Sequence, residues 1–295
     1  MGYLSAITLL WAFSFSLIGV YLAGQVDSWF SVLTRVTLAL MVFIPLTQWR
    51  GIERRLALPL MLLGGIQLGV MYGFYYQSFL YLSVPEVLLF TIFTPLYVTL
   101  IYDLLQGRFS PWYLSSAVMA VLGTAIIQYA SISEQFWRGF FIVQGANVCF
   151  ALGQVGYKHL IERTQPTQPQ HRLFGWFYLG ALCFALPAFM LKGNIHALPT
   201  TLTQWGVLIY LGTIASGVGY FIWNKGATQV NAGLLAVMNN ALVPCGLIVN
   251  IVIWNREADL VKLIIGSAVI GFSVWWNERW VKRKLAAKVT TATTP

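Results

Sequence analysis

The feature that most constrains this chain is the repetition of apolar runs about 20 residues long, the length a helix needs to cross a hydrocarbon core of roughly 30 Å. Between polar punctuation these runs fall near 3–24, 29–48, 58–80, 84–104, 112–131, 138–158, 173–191, 203–223, 232–254 and 261–279. Barrel strands need only about 10 residues each, so runs of this length predict helices. The expected fold class is an all-α integral membrane protein with ten transmembrane helices. Composition excludes the soluble alternative: 58% of residues are hydrophobic and 9% charged, against roughly 25% charged in soluble domains. The first run begins almost at Met1, without a basic stretch before it or a small-x-small site after Leu22, and reads as a retained helix rather than a signal peptide.

A net charge of +9 raises the question of a nucleic-acid partner, which the placement of the charges answers. Sorting the loops by side puts Arg50, Arg54, Arg55, Arg108, Lys158, Arg163, Arg172, Lys225, Arg279, Lys282, Arg283, Lys284 and Lys288 together. Only Arg138, Lys192, Arg256 and Lys262 lie opposite. This is the positive-inside asymmetry of a membrane protein, and it predicts cytoplasmic N and C termini and no nucleic-acid partner. Trp29, Trp49, Trp112, Trp137, Trp205, Trp254 and Trp280 fall near span ends, where indole rings favour the headgroup region. Cys149, Cys183 and Cys245 have no ligand spacing and read as packing residues. The polar stretch Ile161 to His171 reads as a linker, and 286–295 as a disordered tail.

The two halves share weak similarities in the same order. At an offset of 149, Phe93-Thr94-Pro95 meets Leu242-Val243-Pro244; at 148, Val118 to Gly123 meets Gly266 to Gly271; at 139, Trp11-Ala12 meets Phe150-Ala151. The expected organisation is two five-helix repeats, 1–135 and 136–285. An odd number of spans per half inverts the second repeat, a geometry typical of transporters with a site near the midplane. Pro95 and Pro244, both mid-span, read as hinges, or as kinks whose freed carbonyls neighbouring helices satisfy.

The tandem halves, Trp11, Arg35, the stretch Leu82 to Pro95 and Tyr220-Phe221-Ile222-Trp223-Asn224 together resemble the drug/metabolite transporter superfamily, specifically its ten-helix EamA-like exporters. The glycine-acid-basic turn usual after span four appears here as Gln106-Gly107-Arg108 with Asp103 upstream, and after span nine as Asn255-Arg256-Glu257. The resemblance implies a basket around a central cavity lined by spans one, three, four, six, eight and nine, with five and ten at the edge. It also implies a bacterial inner membrane.

Charged groups inside a span are costly and usually functional. No carboxylate lies at mid-depth: Glu86, Asp103 and Glu278 sit at span ends and read as solvated, which argues against tight proton coupling. Arg35 is the one basic residue well inside a span, suited either to a substrate carboxylate or to a structural pairing. Gln67, Tyr72, Tyr75, Tyr76, Thr91, Thr94, Gln144, Asn147, Gln154, Tyr220, Asn224, Asn239 and Asn240 must face the bundle interior or a wet cavity. Of these, Tyr72, Tyr76, Thr91, Asn147, Gln154, Tyr220, Asn224, Asn239 and Asn240 join Trp11, Phe15 and Arg35 as the candidate substrate-binding set. Gly65, Gly69 and Gly73 form a small-x3-small face for close helix packing. His159, His171 and His196 lie in loops or at span ends, so no metal, cofactor or catalytic constellation is expected. The expected function is a transporter, monomeric or homodimeric in the lipid bilayer, exporting amino acids or related small metabolites. A nucleotide-sugar or drug carrier and an uptake permease are the alternatives.

Overall fold

The computed structural model describes residues 1–107, 109–127, 136–254 and 260–281. The turn residue Arg108, the Asn255-Arg256-Glu257 turn, the junction at 135 and the tail 286–295 lie outside them. All regular structure among the described residues is helical. Among the described residues, eight helices are long and apolar enough to cross a membrane: α1 (Gly2–Leu22), α2 (Ser28–Leu46), α3 (Arg54–Ser78), α4 (Glu86–Leu105), α6 (Trp137–Thr164), α7 (Gln170–Lys192), α8 (Leu202–Ala227) and α9 (Ala232–Ile253). The shorter apolar α5 (Pro111–Ile127) and α10 (Leu260–Trp276) complete the bundle.

Burial runs opposite to that of a water-soluble fold. Leu58 and Leu62, Leu100 and Leu104, and Val118 and Leu122 are exposed four residues apart, while Gln67, Thr99, Gln154, Asn224 and Asn240 are wholly buried. Lipid solvates the leucines but has no partner for an amide, so the polar groups turn inward.

The linker is shorter than its composition predicts. Lys158 Nζ pairs with Glu162 Oε1 at 2.6 Å, one turn apart, and α6 continues to Thr164. Gln165, with φ 40°, then ends it, and α7 begins at Gln170. Lys158 is accordingly buried rather than in a loop. Asp103 is also buried, because its Oδ2 accepts from the Ser110 amide at 2.7 Å and ties the end of α4 to the start of α5. Glu86 does cap a helix start, accepting from Ser83 N and Oγ, both at 2.8 Å. Cys183 is exposed rather than packed.

Glycine brings α3 and α7 into backbone contact. A Cβ on Gly64 would strike the Phe177 carbonyl, one on Gly180 the Met61 carbonyl, Gly69 receives Phe184, and Gly73 receives the Trp29 ring. The helix loosens into wide π turns over Gly65–Val70 in α3 and Tyr210–Val218 in α8. In α8 the carbonyls of that segment find outside donors: Trp11 Nε1 reaches Ala215 O at 2.8 Å, and the Tyr178 hydroxyl reaches Ser216 O at 2.9 Å and Gly217 O. The two mid-span prolines differ. Pro95 follows a 3₁₀ turn over Thr91–Phe93 that breaks α4, whereas Pro244 sits within continuous α9.

Seven helices form a closed ring in the order α1, α9, α4, α6, α3, α2, α8 and back to α1. Outside it, α7 packs on α2 and α3, and α5 pairs with α10. The α2 and α7 helices run antiparallel: Asp27 N donates to Ala197 O at 2.7 Å at one end, and Gln48 N to Arg172 O at 2.8 Å at the other.

Candidate functional site

The ring surrounds a partly open cavity with about 100 Å³ of room at its centre. Its lining comes from α1, α3, α4, α6, α8 and α9, with Arg35 the single contribution of α2. Of the twelve candidate substrate-binding residues, Trp11, Phe15, Arg35, Tyr72, Thr91, Asn147, Tyr220 and Asn239 line it, as do Tyr75 and Thr94 from the wider polar group.

The other four lie behind the wall. Tyr76 supports Arg35 through its hydroxyl. Gln154 cross-links three helices: its Oε1 accepts from Trp223 Nε1 at 2.9 Å, and its Nε2 donates to Asn239 Oδ1 at 3.2 Å. Asn240 Nδ2 donates to Ile92 O at 3.1 Å, holding the broken turn of α4 from α9. Asn224 Nδ2 returns to its own helix at Tyr220 O, 2.9 Å away.

Arg35 is the electrostatic centre. It is 3% exposed. Its Nε donates to Ser216 Oγ at 3.0 Å, Nη1 to the Tyr76 hydroxyl at 3.3 Å and Nη2 to the Tyr72 hydroxyl at 2.6 Å. The guanidinium carbon lies 4.2 Å from the Tyr72 ring centroid. Tyr72 and Ser216 are themselves 2.9 Å apart, closing a small hydroxyl cradle. Every one of these partners is neutral, and no carboxylate is among them. A buried cation held by neutral groups keeps its affinity for an anion, since hydroxyls and ring faces offset only part of the lost hydration.

An aromatic wall borders the cradle. Trp11 stands 4.9 Å from Tyr220, 5.0 Å from Trp223 and 5.8 Å from Phe150, centroid to centroid. Phe150 and Trp223 were outside the candidate set, although the quoted stretches Phe150-Ala151 and Tyr220 to Asn224 contained them. Thr8, Ser14 and Ile18 also line the cavity, and helical spacing from Trp11 places them on its face. The arrangement suits a small amphipathic molecule with an anionic group, an apolar body and hydrogen-bonding atoms. No nucleophile paired with a base is part of it.

The sequence pattern of the EamA-like transporter family matches residues 137–277. A probable biotin transporter of Pseudomonas aeruginosa is 54% identical over 277 residues, covering 94% of this chain and 97% of that protein. Biotin transporters of Salmonella typhimurium and Escherichia coli are 50% and 51% identical, over 97% and 95% of this chain. One crystal structure of another protein shares the fold at a TM-score of 0.73, covering 92% of this chain and 94% of that one at 19% identity. The chain therefore belongs to the EamA-like transporter family, within the drug/metabolite transporter superfamily, and is a multi-pass membrane transporter.

Proposed function

We propose that this protein carries biotin across a bacterial inner membrane. The observation that carries the reading is identity of 50–54% along nearly the whole chain to three proteins named as transporters of biotin or probably so. The amino-acid export expected from sequence has no counterpart in those names. The cavity chemistry supports the choice: biotin joins a carboxylate, an alkyl chain, an apolar thioether ring and a cyclic urea. The Arg35 cradle suits the first, the aromatic wall the middle and the amide and hydroxyl side chains the last.

The architecture we infer is ten spans in two inverted repeats, 1–135 and 136–285, that alternate access to this cavity, with both termini cytoplasmic. Several packings come in pairs under exchange of the halves. The α1–α9 contact matches α6–α4, α2–α8 matches α7–α3, and α4–α5 matches α9–α10, while α2–α7 and α5–α10 map onto themselves. The wide turns of α3 and α8 are a further matched pair. The extensive α5–α9 packing is an exception, with no α10–α4 counterpart of like extent.

The test is growth. In a bacterium lacking both biotin synthesis and its own biotin carrier, expression of this chain should restore growth at limiting external biotin. Failure to do so, with the protein present in the membrane, would defeat the assignment.

A further inference from the structure

Within the same cavity, and resting on the biotin reading, a second polar subsite lies on α1, α4 and α6. These helices occupy the part of the ring on the far side of α3 and α8 from α2, which carries Arg35. Asn147 is 3% exposed, and both directions of its amide nitrogen are taken: Nδ2 donates to Phe90 O at 2.8 Å and to Gln144 Oε1 at 3.1 Å. A backbone carbonyl can only accept, so the Phe90 contact fixes which way the Asn147 amide points. Its Oδ1 meets no donor among the described residues and belongs to a side chain that lines the cavity. Asn147 thus presents an acceptor to the passenger and no donor.

Ser14 is complementary. It is 6% exposed, lines the same cavity from α1, and its buried hydroxyl oxygen has no hydrogen-bond partner among the described residues. Leaving such a group unpaired costs free energy that a ligand acceptor would recover. Thr94, 4% exposed on α4, adds a second hydroxyl to the lining.

We propose that this subsite reads the N–H and C=O groups of a neutral cyclic urea: Asn147 Oδ1 accepts from a ring N–H, and the hydroxyls of Ser14 and Thr94 donate to the ring carbonyl. The lining there holds no thiol or metal-ligating group aimed at sulfur, so selectivity rests on the urea and not on the thioether.

The experiment is competition against labelled biotin flux through the wild-type protein in proteoliposomes. Desthiobiotin keeps the urea and the carboxylate but lacks the sulfur, and should compete within a few-fold of biotin. Biotin methylated on its ring nitrogens should compete at least about tenfold more weakly, the loss expected when a buried acceptor is left unmet. Asn147→Leu should abolish most of that discrimination, and because the first comparison uses only wild-type protein, a misfolded variant does not blunt the test. Equal competition by the methylated analogue would overturn the subsite while leaving biotin transport standing. If biotin itself neither moves nor competes, the function assignment fails instead.

Discussion

At the scale of single residues, Arg35 decides the chemistry of the cavity. A cation buried to 3% exposure without a carboxylate partner is an expensive arrangement unless the passenger completes it. Replacing Arg35 with Gln keeps a polar side chain but removes the charge. A charge-assisted hydrogen bond contributes about 2 kcal/mol, so the half-saturation concentration for biotin should rise roughly thirtyfold. Flux assays with the methyl ester of biotin provide the control, because a neutral passenger should be carried no worse by the variant than by wild type. Arg35→Lys should restore only part of the loss, since an ammonium cannot span Ser216, Tyr76 and Tyr72 as the planar fork does. That Arg35 was a candidate was legible from its position inside an apolar run. Its three hydroxyl contacts were not, because Ser216 lies 181 positions away and nothing local marks it as a partner.

At the scale of helices, two joints can be tested separately. The first is the glycine contact between α3 and α7. An alanine at Gly64 would drive its methyl group into the Phe177 carbonyl, where backbone cannot yield as a side chain can. Overpacking of this kind costs about 1–3 kcal/mol, and Gly64→Ala should lower the thermal unfolding temperature in detergent, while Gly206→Ala, which meets nothing, should not. The second joint is the break in α4. Asn240 holds Ile92 O from α9 without touching the cavity, so Asn240→Leu should reduce the maximal transport rate and leave the half-saturation concentration nearly unchanged. Initial rates normalised to folded protein in the membrane distinguish these outcomes. Helix positions were readable from hydropathy because crossing a bilayer imposes a minimum apolar length on each segment. The extension of α6 to Thr164 was missed because hydropathy stops at the charges, whereas the Lys158–Glu162 pair lets the helix continue through them. The rotation of each helix about its axis was less legible: Asn239 lines the cavity and its neighbour Asn240 does not, although both are amides in the same turn.

At the scale of the whole molecule, lipid-facing leucines outside and amides inside define a bundle built around an aromatic-walled cavity that holds a buried cation. The resemblance seen in Trp11, Arg35 and Tyr220 to Asn224 pointed to the family, but the passenger was not legible, since cavity shape depends on side chains brought together from seven helices. The most direct measurement is flux of labelled biotin and labelled amino acids into liposomes carrying the purified protein. The account predicts saturable biotin uptake that unlabelled biotin suppresses and amino acids do not. Saturable amino-acid flux with no movement of biotin would contradict it.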